Sequence, residues 1–172
     1  MLMSSRKEQS RQCLGRDFLT YLCYKSDDQA GAFEPEEPSQ AFSLWLDGKI
    51  VLEDDRDVPP NSVAYSGDDF TNQDVKQAIR SGKKVREARF RIEKAENTWC
   101  FTLRADRLDV SGLKLDMPPS EDSDGQFFAR IISIEALNDL IDALYKMFTA
   151  EFCSDTWKAS GARRFQKWLQ KS

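Results

Sequence analysis

The chain contains no histidine. That removes the commonest general base and the commonest metal ligand together, and with them zinc sites and Ser-His-Asp chemistry. Cysteine is sparse: residues 13, 23, 100 and 153 are scattered without a C-x-x-C spacing, so buried apolar thiols are expected and disulfides are not. No run approaches the roughly eighteen consecutive apolar residues of a membrane span, and the opening MLMSSRKEQSRQ has no apolar stretch of signal-peptide length. These absences predict a cytoplasmic protein without membrane attachment, cofactor or metal. A strongly basic balance is also missing. The net charge is −4, so binding to nucleic acid requires an uneven distribution of charge.

What is present suits a soluble domain. At 172 residues, 40% hydrophobic and 31% charged, the chain is long enough to bury a substantial core. From Arg11 to Lys25, Leu14, Phe18, Tyr21 and Leu22 recur at the spacing of one helical face. Residues 26–40 are acidic and proline-bearing and read as an exposed loop. AFSLWL, Asp47-Gly48 and KIVLE predict a hairpin closed by a type I′ turn, with Ser62 to Ser66 as a short added strand. A short helix over 72–81 is expected, with Thr71 as N-cap, Asp74 at N3 and Gly82 at C′.

The stretch GKKVREARFRIEKAENTWCFTLRADRLDVSGLKL then reads as a β-meander. A turn over Lys94–Asn97 sets Ile92 opposite Trp99, Phe90 opposite Phe101 and Ala88 opposite Leu103 on an apolar face. Glu87 opposite Arg104, Arg89 opposite Thr102 and Arg91 opposite Cys100 occupy the other, and Leu108 to Leu115 form a third strand. Residues 116–126 read as a second acidic loop. Ser133 is the expected cap of a helix carrying Ile134, Leu137, Ile141, Leu144 and Phe148 at spacings of three and four, which fit packing across a sheet better than a coiled coil. A final segment from Asp155 is basic and amphipathic. Its Trp157, Phe165 and Trp168 fit docking or a dimer contact better than contact with nucleic acid.

From Lys76 to Lys114 there are eleven cations and five acids, a local surplus of six. Such density on a rigid sheet is self-repulsive unless phosphates neutralise it. This predicts phosphate contacts from Lys83, Lys84, Arg86, Arg89, Arg91, Arg104 and Arg107. The competing reading is a solvated outer face with Glu87 and Arg104 simply paired. Trp99 and Phe101 alternate with polar residues and are expected in the core, not stacked on bases. The carboxylates Glu53, Asp54, Asp55 and Asp57, and Asp68 with Asp69, read as solubilising loops in preference to a cation site.

LGRDFLTYLCYKSDD, GKIVLEDD, DVKQAIRSGKKVREARF and WCFTLRADRLDVSGLKL, over roughly residues 14 to 116, together resemble the C-terminal part of RdgC, the bacterial recombination-associated protein family. The resemblance implies a ring-shaped dimer that binds DNA without strong sequence preference, limits access of recombinase and has no established catalytic activity. Gly82, Lys83, Lys84 and Val85 match the family's GK-x-V-like turn. The family's large N-terminal portion has no counterpart here, so a closed ring is not carried over.

The whole predicts an α+β fold: an N-terminal helix, antiparallel hairpins and a β-meander, and C-terminal helices packed on one sheet face. Residues 1–12 are expected to be a flexible terminus, 13–153 an RdgC-like domain and 154–172 a basic amphipathic helix. The expected function is non-enzymatic, sequence-tolerant binding of single- or double-stranded DNA by a nucleoid-associated protein, possible as a homodimer. The alternative is a protein-interaction or oligomerisation module acting through the C-terminal helices.

Overall fold

The computed structural model describes residues 3–33, 41–54, 56, 59–67, 72–116 and 122–171, with side chains from Leu14 onward except that of Ser123. It is an α+β fold in two layers, with an antiparallel sheet covered on one face by helices.

Helix α1 (Met3–Asp28) begins about two turns before the predicted Arg11. Strand β1 (Ala32–Phe33) follows within the region expected to be an exposed loop. Phe33 is buried and stacks on Phe42 with ring centroids 5.4 Å apart, so an apolar side chain flanked by acids is drawn into the sheet edge. Residues 34–40 of that loop, and Thr71, Asp55, Asp57, Asp68 and Asp69, lie outside the described residues.

The predicted Asp47-Gly48 hairpin is not formed. Strand β2 (Phe42–Asp54) runs straight through both residues. Its two halves pair with the same neighbour, strand β4 (Lys84–Lys94): Leu46 lies opposite Phe90 and Ile50 opposite Ala88, so three residues of β2 face the single Arg89. The dipeptide is therefore an irregular bulge, with Gly48 at φ 65°, and the extra residues bend one strand instead of separating two. The hairpin partner of β2 is β3 (Asn61–Ser66), the short strand expected beside it.

Helix α2 (Asn72–Arg80) has Asp74 at N3 and ends as predicted at Gly82. The Lys83 amide donates to the Ala78 carbonyl and the Gly82 amide to the Ile79 carbonyl, the paired bonds of a Schellman motif. Strands β4, β5 (Asn97–Arg104) and β6 (Asp109–Leu115) form the meander, and every pair predicted between β4 and β5 is present. The sheet order is β1-β2-β4-β5-β6, with β3 on the β1 side of β2.

Leu44, Ile50, Leu52, Val85, Ala88, Phe90, Ile92, Trp99, Phe101 and Leu103 point into the core. Trp99 and Phe101 are core residues, as their alternation implied. Over them lie α1 and α3 (Ser123–Phe152), running in the same direction: Phe18 meets Tyr145 and Phe148, and Tyr21 reaches Glu151. The N-cap of helix α3 lies eleven residues before the predicted one at Ser133. Asp122 is its N-cap, accepting from the Asp124 amide at 3.2 Å, whereas Ser133 sits inside the helix and accepts from Trp99 Nε1 at 2.9 Å. The early turns carry no core-facing periodicity, so the sequence pattern marks only the packed half.

A π-helical turn (Trp157–Gly161) leads into α4 (Ala162–Gln170). Tyr24 of α1 meets Trp157, Phe165 and Trp168 edge-on, and Trp168 and Leu169 are buried. Asp27 accepts from Trp168 Nε1 at 2.6 Å and from Asn72 Nδ2 at 2.5 Å, and forms an ion pair with buried Lys76 at 3.1 Å. One carboxylate thus joins α1, α2 and α4.

Candidate nucleic-acid interface

The seven cations singled out in the sequence fall on β4, β5 and the flanking turns, and five of them have acids of their own. Lys84 pairs with Asp17 of α1 at 2.6 Å, Arg86 with Glu53 of β2 at 3.2 Å, and Arg89 with Asp47 of the bulge at 2.7 Å. Arg91 pairs with Glu93 at 2.5 Å and Arg104 with Glu87 at 3.1 Å. Glu87 also accepts from Lys49 at 2.6 Å; that bond, with the nearby positive charges, holds its carboxyl below the usual carboxylate range. Lys83 and Arg107 make no ion pair among the described residues.

The surplus counted along the sequence shrinks for the same reason. Lys76, Lys84, Arg86 and Arg89 are met by Asp27, Asp17, Glu53 and Asp47, all four from outside the stretch. Glu53 is shared with Arg16, and Lys49, also from outside the stretch, takes part of Glu87, so the surplus is reduced without being cancelled. The bulge at Asp47-Gly48 places Asp47 beside Arg89, so the departure from a hairpin is also what neutralises the middle of the meander.

Two acids expected in a solubilising loop prove structural. Glu53 and Asp54 end β2 and are buried. Glu53 accepts from Arg16 Nη2 at 2.7 Å, tying α1 to the sheet, and Asp54 takes a two-pronged contact from Arg56 at 2.8 and 2.5 Å. The sequence shows a run of like charge there and gives no sign that arginines close over it.

Other exposed cations without an ion pair among the described residues, such as Arg80, Lys114, Arg130 and Lys146, are scattered over the fold, but one group is contiguous in sequence. From Ala162 to Lys171 there are four, Arg163, Arg164, Lys167 and Lys171, and no acid. All four are exposed and none forms an ion pair among the described residues. Their positions follow from the amphipathic pattern: Phe165, Trp168 and Leu169 pack inward, leaving the intervening cations outward. The docking expected of the C-terminal aromatics is present, and it is what displays the charge. Lys83 lies across a cleft from this helix, with Ala162 and Gln166 on the opposite wall.

A second exposed feature lies on the first turns of α3. Phe127, Phe128 and Ile132 are 61%, 63% and 65% exposed, with Ile131 and Ile134 partly covered beside them. Beyond Ile134 that side of the helix turns polar, with Glu135, Asn138, Asp139 and Asp142 exposed. No known family model matches this chain, and no curated protein matches it.

Proposed function

We propose that this is a non-enzymatic, sequence-tolerant DNA-binding protein whose phosphate contacts come chiefly from α4, with Lys83 beside it. The observation that carries this reading is a docked helix with three exposed cations, Arg163, Arg164 and Lys167, and Lys171 at its C-cap, none in an ion pair among the described residues and with no acid between Ala162 and Lys171. A phosphate approaching α4 displaces only water and counterions, whereas one approaching Arg89 or Arg91 competes with a carboxylate already in place. The resemblance to the recombination-associated family supports the same class of partner, and contacts made by cations to phosphates carry no sequence information of their own.

The test is a salt titration of labelled single-stranded and duplex DNA. Four neutralised phosphates give a slope of log K against log salt of about −3 to −4. Reversing Arg163 and Lys167 to Glu flattens the slope and weakens binding at low salt. Reversing Arg89 and Arg91 changes it little. The opposite ranking would return the interface to the sheet.

A second reading rests on the exposed apolar turns of α3: self-association with another copy of the chain. The stripe from Phe127 to Ile134 is about two turns long, and like helices pairing about a two-fold axis cover it with an identical surface. The area is on the order of 1,000 Å² over both copies, the lower limit of specific interfaces, so a concentration-dependent dimer is expected. Light scattering of Phe128→Glu with Ile132→Glu then shows monomer at concentrations where the parent associates. An unchanged mass for parent and variant rejects this reading.

A further inference from the structure

Between α1, the α2–β4 turn and the C-terminal helices lies an open cleft of about 290 Å³. Its walls are largely apolar: Tyr21, Ile79, Phe152, Trp157 and Phe165 all line it. Trp157 is half-buried and meets Phe152 at 5.3 Å between centroids, and it belongs to the π-helical turn, a local geometry that recurs at functional sites. Few polar groups reach the opening. The Tyr21 hydroxyl is committed to Glu151 at 2.6 Å, the Thr20 hydroxyl donates to the Arg16 carbonyl at 2.7 Å and accepts from the Val85 amide at 3.0 Å, and Asp17 holds Lys84. Lys83 alone brings a charge without an ion-pair partner to the rim, and Gln166 brings an exposed amide.

An aromatic-walled cleft whose rim carries the Lys83 ammonium, near Asp54 but without an ion pair among the described residues, suits a flat ring that carries an anion. We propose that the cleft receives the heteroaromatic ring of a nucleotide, with its phosphate on Lys83. In a polymer, the neighbouring phosphates then fall toward the cations of α4. This inference rests on the DNA-binding reading and deepens it: a base stacked in a duplex cannot enter, so single strands bind in preference. The walls offered to the ring are aromatic and aliphatic, and Asp17, Thr20 and Lys84 on the lining are already engaged with one another or with the backbone, which leaves Gln166 as the amide to meet a base edge and keeps the choice of base broad.

The probes are a 20-mer of thymidylate, a 20-mer of abasic sites with the same backbone charge, a duplex of equal length, and free thymidine 5′-monophosphate. The thymidylate 20-mer should bind about tenfold more tightly than the abasic strand, the worth of one stacked base. Ala162→Phe, at an exposed position on the cleft wall, fills the slot and removes that advantage while leaving the abasic strand's affinity and salt slope intact. Lys83→Gln weakens binding of the monophosphate without filling the slot. If the monophosphate binds and is excluded by Ala162→Phe while the two strands bind equally, the ligand is a free nucleotide. If the strands bind equally with the expected salt slope and the monophosphate does not bind, the cleft proposal falls and the α4 reading stands. If no strand binds at any salt, both fall.

Discussion

Gly15 and Gly48 depend on lacking a side chain for different reasons, and substitution separates them. A Cβ on Gly15 would stand 2.0 Å from the Ala105 carbonyl oxygen, a backbone atom at the end of β5. Alanine is favoured over glycine in a helix by about 1 kcal/mol, but forcing α1 off the sheet costs about 1–3 kcal/mol, and a clash with backbone sits at the upper end. Gly15→Ala should therefore lower stability by about 2 kcal/mol in urea unfolding. At Gly48 nothing lies nearer than the Gly67 carbonyl oxygen at 3.9 Å, so Gly48→Ala meets only the conformational penalty of a positive φ, about 1 kcal/mol. Equal losses at the two sites would contradict this distinction. Cys23 makes a third prediction. Burial pushes its thiol from an ordinary 9.0 up to about 12. The folded state thus keeps a proton that the unfolded chain releases, so the stability contributed is full below pH 9 and is lost as pH rises from 9 to 12. Within that window, Cys23→Ala should reduce the fall in unfolding free energy by about 1.4 kcal/mol per pH unit.

At the scale of elements, α3 divides into two halves with different roles. Leu137, Leu140, Ile141, Leu144 and Phe148 are buried, while the turns before them expose phenylalanine and isoleucine. The packed half showed its spacing in the sequence; the earlier half did not, because a helix face without a partner among the described residues need not match any core. The Phe128→Glu, Ile132→Glu variant tests the exposed half without touching the core, so at concentrations where the parent is monomeric its thermal midpoint should match the parent's, and the rise of the parent's midpoint with concentration should be lost. The same division runs through α4. Phe165, Trp168 and Leu169 fasten it to the body, and Arg163, Arg164 and Lys167 remain free. Its amphipathic pattern was legible, but which of the chain's cations would be left unpaired was not.

At the scale of the whole molecule, periodicity carried further than charge. Alternation over Phe90, Ile92, Trp99 and Phe101 was enough to set the register of β4 against β5, because a slip by one residue would turn the apolar face outward. Charge has no such local rule. Arg86 and Arg89 meet acids 33 and 42 residues away along the chain, and only the fold reveals these pairings. The Asp-Gly dipeptide misled for a related reason: its local preference for a tight turn yields to β4, which pairs with both halves of β2.

Asp27 has a consequence for how the molecule comes apart. Asn72, Lys76 and Trp168 converge on that one side chain, so the C-terminal helix and the short central helix share a latch, beside the bond from Gln73 Nε2 to the Lys171 carbonyl at 2.9 Å. Asp27→Asn keeps the shape but leaves the Lys76 ammonium buried without its counter-charge, at a cost of about 3 kcal/mol. Amide exchange in 72–80 and 162–170 should then accelerate in step, and independent rates would show that the two helices are anchored separately. If they open together, the cleft loses two of its walls in one event, so a middle segment and the C-terminal segment of the chain come loose as one unit.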